Sequence, residues 1–116
     1  MKPDLSILIL DDEIVSAMGL KAQLVEAGFR NVVIASSFER AMELYHSIKP
    51  EAAIVDINLQ SDHTGLDFIR EADKLTTIII LSGYGVNLYR DELQTVRYNQ
   101  FLEKPAPFAA IIEALG

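Results

Sequence analysis

The chain has 116 residues, half of them hydrophobic, which is enough for one hydrophobic core and too little for two domains. It contains no cysteine, which excludes a disulfide framework, a thiolate metal site and redox chemistry on cysteine. Its formal net charge of -7 argues against binding to nucleic acid or anionic lipid, because both are bound through clustered lysine and arginine. We therefore expect a single domain over residues 1–116 whose partner is a protein or a cation, although acidity also serves solubility.

No segment has the features of a membrane span or a secretion signal. Apolar runs such as Ile7 to Leu10 are far shorter than the ~20 residues that cross a bilayer. The first residues, Met1 to Asp4, lack the hydrophobic region of a signal peptide. A cytoplasmic protein without a membrane partner is therefore expected.

Short β-rich runs alternate with helical patterns, which predicts βαβ units and a parallel sheet. Most of these runs are apolar nearly throughout instead of alternating, as in strands that helices cover on both faces. The sequence therefore predicts a three-layer α/β sandwich. The predicted strands are Ser6–Leu10, Val32–Ala35, Ala52–Val55, Thr77–Leu81 and Gln100–Glu103.

Apolar residues at steps of three and four predict helices between the strands. One stripe runs from Ala17 to Ala27, and Gly28 follows where a helix would stop. A second helix is expected after the capping-box pattern Ser36-Ser37-Phe38-Glu39, and Pro50 ends it. The remaining helices are predicted from Gly65 to about Asp73, within Val86 to Tyr98, and from Pro107 to Leu115.

Polar side chains follow the predicted strands at the edge of the sheet where ligands bind in open parallel folds. Crowded carboxylates repel one another unless a cation compensates, and oxygen ligands suit Mg²⁺, with Mn²⁺ as the alternative. An aspartate beside such a cation can attack a phosphoryl group. The residues concerned are Asp11, Asp12 and Glu13 after the first strand, Asp56 after the third, Ser82 and Gly83 after the fourth, and Lys104 and Pro105 after the fifth.

Each of these residues also has an ordinary structural interpretation when it is considered alone. Asp12 suits a helix N-cap, Asp56 a turn, Ser82 a plain loop, and Lys104 a solvated surface position. Their joint occurrence at four strand ends favours a functional site over four unrelated explanations.

The order and approximate spacing of these motifs resemble those of the response regulator receiver domain, over essentially the whole chain. The resemblance rests on Asp11-Asp12, on Asp56 in Ala53-Ile54-Val55-Asp56, on Ser82-Gly83, and on Lys104-Pro105 after Phe101-Leu102-Glu103. It implies a flavodoxin-like, doubly wound sheet of five parallel strands in the order 2-1-3-4-5, with five helices.

The resemblance also implies which residues perform the chemistry. Asp56 would accept a phosphoryl group from a histidine kinase or phosphotransfer protein. Mg²⁺ would be held by Asp12, Asp56 and the backbone carbonyl of Asn58, with Asp11 acting through a bound water. Lys104 and Ser82 would contact the phosphoryl oxygens.

Phosphorylation would then change a surface that binds a downstream protein target. By the same resemblance Ser82 and Phe101 would form the switch, and the Lys104-Pro105 peptide bond would be cis. The resemblance leaves phosphorylation-dependent dimerisation open. Because the chain ends soon after the last predicted helix, we expect no effector domain in it, and both a stand-alone receiver and a piece of a longer regulator remain open.

Two features depart from the family's commonest pattern. The segment from Asn58 to Gly65 lacks the frequent proline and is about one residue longer. Tyr84 suits shielding of the phosphoryl group and Asn58 suits positioning of an attacking water, so the lifetime of the phosphorylated state stays undetermined.

Two other functions are disfavoured. A small phosphohydrolase would need a second acid at the position of Asn58. A receiver that only binds protein is disfavoured because every phosphorylation residue is present.

Overall fold

Five short strands form one parallel sheet in a computed structural model that describes residues 2–57, 64–83, 85 and 89–116. Neighbouring strands are all parallel, and their order is β2-β1-β3-β4-β5. The predicted flavodoxin-like order is therefore confirmed. The strands are β1 (Ser6–Leu10), β2 (Asn31–Ala35), β3 (Ala52–Asp56), β4 (Thr77–Ser82) and β5 (Gln100–Glu103).

A helix follows each strand, and the helices cover both faces of the sheet. Within the described residues they are α1 (Ile14–Glu26), α2 (Phe38–Ile48), α3 (Gly65–Glu71), α4 (Arg90–Leu93) and α5 (Phe108–Leu115). Buried residues of α1 and α5 belong to one core cluster, and those of α2, α3 and α4 belong to the other. The predicted three-layer arrangement is confirmed.

The apolar strands supply both clusters because alternate side chains point to opposite faces. In β3, for example, Ala53 and Val55 face α2, α3 and α4, whereas Ala52 and Ile54 face α1 and α5. Burial on both faces explains why the runs in the sequence are continuously apolar. Each fully buried large aliphatic side chain contributes roughly 1.5–3 kcal/mol, so the sheet holds the residues at its edge on a well-anchored frame.

Two helix boundaries differ from the sequence prediction. The N-cap of α2 is Ser37, whose hydroxyl accepts the Arg40 N–H at 3.2 Å, so the predicted capping box starting at Ser36 is wrong by one residue. Helix α3 ends at Glu71 and not near Asp73, because the chain becomes extended at Ala72.

The ends of α1 and α2 both carry a left-handed backbone residue. After α1, Gly28 has a φ of 112°, which confirms the predicted stop. After α2, Lys49 takes the same role with a φ of 52°, a conformation that crowds its Cβ.

Only part of the predicted fourth helix lies within the described residues. Of the range Val86 to Tyr98 predicted to hold a helix, residues 86–88 lie outside the described part, and α4 itself is a single turn with Leu93 buried. Among the described residues, no helix is long and apolar enough to cross a membrane.

Candidate functional site

Three aspartates meet at the carboxyl edge of the central strands. Strands β1 and β3 are neighbours, with Leu10 opposite Val55, so the next residues, Asp11 and Asp56, emerge side by side. One carboxylate oxygen each from Asp11, Asp12 and Asp56 lies within 4.8 Å of the others. Asp11 is only 5% exposed and Asp56 8% exposed, whereas Asp12 is half-buried.

Lys104 reaches this cluster from the end of β5. Its backbone N–H donates to the Ser82 carbonyl at 2.7 Å, which continues the pairing of β4 with β5 by one residue. Its side chain extends to the carboxylates, where Nζ lies 3.1 Å from Asp56 Oδ2 and 3.3 Å from Asp11 Oδ2. The peptide bond between Lys104 and Pro105 is cis.

The pKa values of Asp11 and Lys104 are shifted by this environment. Burial raises the pKa of Asp11, although the Glu13 N–H, which donates to its Oδ1 at 2.9 Å, and nearby Lys104 both oppose the rise. For Lys104, burial favours the neutral amine, but the hydrogen bonds and attraction of Asp56 and Asp11 outweigh it and raise the pKa. The lysine is therefore held as a cation between the carboxylates.

The donor set suits a hard divalent cation. The three carboxylates and the ammonium carry a net formal charge of −2, and one oxygen of each carboxylate lies within 4.8 Å of the others. Carboxylate oxygens are the ligands that Mg²⁺ and Mn²⁺ prefer. Asp11, Asp12 and Asp56 are thus the described residues that could hold such an ion.

Ser82 and Phe101 lie on β4 and β5, the two strands that follow β3 in the sheet. Ser82 is fully buried as the last residue of β4. Strand alternation puts it on the same face as Ile80, and Ile80 is the register partner of Phe101. Phe101 is partly buried and packs against the cluster that α2, α3 and α4 share. Asn58 and Tyr84, which the sequence also singled out, lie outside the described residues.

Sequence patterns identify Gly65 only as the start of a helix. It is the first residue of α3, and a Cβ built on it would also lie 2.4 Å from the Asp56 carbonyl oxygen. A glycine in the first turn of a helix, where other residues are better helix formers, was the available signal for such a close approach.

A cleft of about 930 Å³ lies far from this cluster, near the amino ends of the strands. Its lining combines apolar side chains, such as Leu5 and Phe29, with scattered charges of both signs, such as Lys49 and Glu51. None of the predicted site residues that the structure describes belongs to it. The candidate chemistry therefore stays at the opposite end of the sheet.

Comparison with known proteins agrees with the geometry. A family model for the response regulator receiver domain matches residues 7–116. The chemotaxis protein CheY of Thermotoga maritima is 30% identical over 113 residues, which span 95% of this chain and 93% of that protein.

Solved structures show the same fold. One of them is the crystal structure of a response regulator protein from Burkholderia pseudomallei with a phosphorylated aspartic acid, a calcium ion and citrate. It has a TM-score of 0.86 and is 28% identical to this chain, and the match covers 97% of this chain and 67% of that chain. A CheY-like receiver domain protein from Methanospirillum hungatei also has a TM-score of 0.86, with 23% identity and coverage of 97% and 90%.

Proposed function

The chain belongs to the response regulator receiver domain family, and from this premise we propose that it accepts a phosphoryl group on Asp56 in a Mg²⁺-dependent reaction. The donor is a phosphohistidine of a histidine kinase or phosphotransfer protein. The observation that carries this proposal is the contact of Asp56 with Lys104 inside a cluster of three carboxylates. The phosphorylated aspartic acid and calcium ion in the Burkholderia pseudomallei relative support the same chemistry here.

Asp56 is the nucleophile in this proposal. One of its carboxylate oxygens attacks phosphorus, the phosphorus–nitrogen bond of the donor histidine breaks, and the imidazole leaves with the electron pair. Lys104 Nζ, which now donates to Asp56 Oδ2 at 3.1 Å, would donate instead to a phosphoryl oxygen, and the Ser82 hydroxyl would bind another. The nearly complete burial of Asp56 limits the access of water to the reacting atoms.

The three acids and one backbone carbonyl would hold the cation. Asp12 and Asp56 are the proposed direct ligands, together with the Asn58 carbonyl, and Asp11 acts through a bound water. When bound, Mg²⁺, or Mn²⁺ in its place, neutralises charge on the transferring oxygens. Without a cation, three clustered carboxylates would repel an incoming phosphoryl group.

The output is a change in protein binding, and the domain has no metabolic substrate. It would catalyse only its own phosphorylation and dephosphorylation. A hydrogen bond from the Ser82 hydroxyl to the phosphoryl group would draw the end of β4 towards Asp56. Phe101, whose side chain lies on the same face of the sheet, would then turn into the space that β4 leaves. This would alter the surface of α4, β5 and α5 for a downstream target or for phosphorylation-dependent dimerisation.

Acetyl phosphate with Mg²⁺ tests the acceptor. Intact-mass analysis should show one added phosphoryl group on the wild-type chain and none on Asp56→Asn, while the control Asp4→Asn, at an exposed position, should be labelled like the wild type. Label that persists in Asp56→Asn, or that maps to Ser82, would refute the assignment.

Asp12→Ala should weaken Mg²⁺ binding more than Asp11→Ala. Equal labelling in EDTA and in Mg²⁺ would refute the metal requirement.

Beryllofluoride with Mg²⁺, which stands in for the phosphoryl group, tests the switch by NMR. Shift changes should extend from Ser82 through α4 to Phe101. Ser82→Ala should largely uncouple them while the ligand still binds. Changes confined to the surroundings of Asp56 would instead favour a phosphoryl relay without a conformational output.

A further inference from the structure

The first residue of α3 lies so close to the end of β3 that only glycine fits. A Cβ at Gly65 would stand 2.4 Å from the Asp56 carbonyl oxygen, 2.7 Å from Val55 Cγ1 and 2.9 Å from Ile57 Cα. Ordinary contacts of a Cβ begin near 3.4 Å. These three neighbours are consecutive residues centred on the proposed phosphoacceptor, and two of the three contacts are with backbone, which cannot rotate away.

Helix α3 is held firmly in this position. Phe68 is fully buried, and Leu66 and Ile69 are each only 4% exposed, all in the core cluster that contains Val55. The start of the helix is fixed by the Asp67 carboxylate, whose Oδ2 accepts the Thr64 N–H at 2.8 Å. The helix therefore has little freedom to move away from the sheet.

The surface that α3 meets is the end of β3. The pairing of β3 with β1 extends to Val55, opposite Leu10, and that of β3 with β4 extends to Asp56, opposite Leu81. The shortest contact of a Cβ at position 65 would be with the Asp56 carbonyl oxygen, so a side chain there would push on the backbone of Asp56. Restoring an ordinary contact from 2.4 Å requires a displacement of about 1 Å.

We propose that Gly65 is a positioning residue for phosphoryl transfer, because its missing side chain sets where the Asp56 carboxylate stands relative to Lys104 and the other acids. This inference rests on the proposed function of Asp56. A shift of about 1 Å away from Lys104 would lengthen its 3.1 Å contact with Asp56 beyond hydrogen-bond distance. Misplacement on this scale can cost about a hundredfold in rate, and Mg²⁺ tolerates little departure from its preferred geometry.

The test compares Gly65→Ala with two controls. Gly19→Ala introduces the same methyl group inside α1, where nothing lies within 4 Å, and should not reduce the rate of labelling by acetyl phosphate. Leu24→Ala removes a fully buried side chain from the other core cluster, so it lowers stability without touching Asp56. Labelling rates and Mg²⁺ dissociation constants are compared at a temperature where each variant is folded by circular dichroism.

Gly65→Ala should be labelled roughly 10- to 100-fold more slowly than the wild type and should bind Mg²⁺ more weakly, whereas Leu24→Ala should retain both properties. Equal rate losses in Gly65→Ala and Leu24→Ala, or a wild-type rate in Gly65→Ala, would overturn the proposal. A wild-type chain that takes no label would instead refute the proposed function itself.

A second variant keeps the proposal testable if Gly65→Ala does not fold. Val55→Ala combined with Gly65→Ala removes the side-chain contact at 2.7 Å but keeps the contact with the Asp56 carbonyl. It should regain stability over Gly65→Ala and remain slow to label. A double variant that folds and labels at the wild-type rate would show that the close contact serves packing and not the placement of Asp56.

Discussion

Replacing Lys104 with Met should separate the two roles of its ammonium, in the stability of the metal-free fold and in phosphoryl transfer. Methionine keeps an unbranched side chain but removes the charge that Asp11 and Asp56 share. Nζ of Lys104 lies 3.1 Å from Asp56 Oδ2 and 3.3 Å from Asp11 Oδ2. With an effective dielectric constant of roughly 20, the Coulomb attraction before desolvation is about 5 kcal/mol for each contact. Desolvation offsets most of it, and the Lys104 side chain is still 28% exposed.

We therefore expect Lys104→Met to lose about 2 kcal/mol of stability in EDTA, below the roughly 3–5 kcal/mol for breaking a fully buried pair. For a domain of this size the loss corresponds to a fall of about 8 °C in Tm. In the proposed site Lys104 and the cation would compete for the same carboxylate oxygens, so Mg²⁺ should reverse this loss of stability. The rise in Tm on adding Mg²⁺ should be larger in the variant than in the wild type, while labelling by acetyl phosphate stays low.

Thermal unfolding followed by circular dichroism, in EDTA and across a Mg²⁺ titration, measures both effects. Lys74→Met is the matched control, since it makes the same change in net charge at an exposed position. A smaller Mg²⁺-induced shift in Lys104→Met than in the wild type would refute the competition. A Tm in EDTA equal to that of the wild type would refute the stabilising role of the lysine.

Three further substitutions test other parts of the structure. Lys49→Gly should raise the free energy of unfolding by about 0.5–1 kcal/mol, measured in urea, because glycine adopts a φ of 52° without crowding; a decrease would contradict this. Tyr45→Phe should cost about 1–2 kcal/mol in the same assay, since the tyrosine hydroxyl bonds that of the nearly buried Thr76 at 3.0 Å; a neutral result would contradict it. Met18→Glu introduces a charge on the exposed apolar side of α1, the helix that follows Asp12 in the chain. It should slow phosphoryl transfer from a phosphohistidine protein severalfold and leave acetyl phosphate labelling unchanged, because only a protein donor is large enough to contact this side; equal slowing of both would contradict it.

Sequence patterns predicted the sheet and the meeting of the acids for one physical reason. Strands buried on both faces read as continuous apolar runs, and the carboxyl ends of parallel strands lie at one edge. Residues that follow these runs must therefore come together, however far apart they are in the chain. Lys104 contacts Asp56 across 48 positions and Asp11 across 93, and no local pattern links them.

Helix boundaries depended on contacts that local patterns do not contain. Ser36 and Ser37 are equally good N-cap residues, so the sequence could not choose between them. Extended backbone at Ser37, with a φ of −146° and a ψ of 161°, places the first turn one residue later than predicted. The early end of α3 at Glu71 likewise reflects the path that the chain takes into β4.

Gly19 and Gly65 show where sequence reasoning reaches its limit. Both lie within helices and both lower intrinsic helix stability relative to alanine. At position 19 the space around a Cβ is open, so alanine should stabilise α1 by up to about 1 kcal/mol. At position 65 the same methyl group would overlap the backbone of the proposed phosphoacceptor, and alanine should destabilise the fold by about 1–3 kcal/mol or more. Helix propensity alone predicts that alanine at either position increases the free energy of unfolding. The decrease expected at position 65 therefore comes entirely from the short distance between α3 and the end of β3.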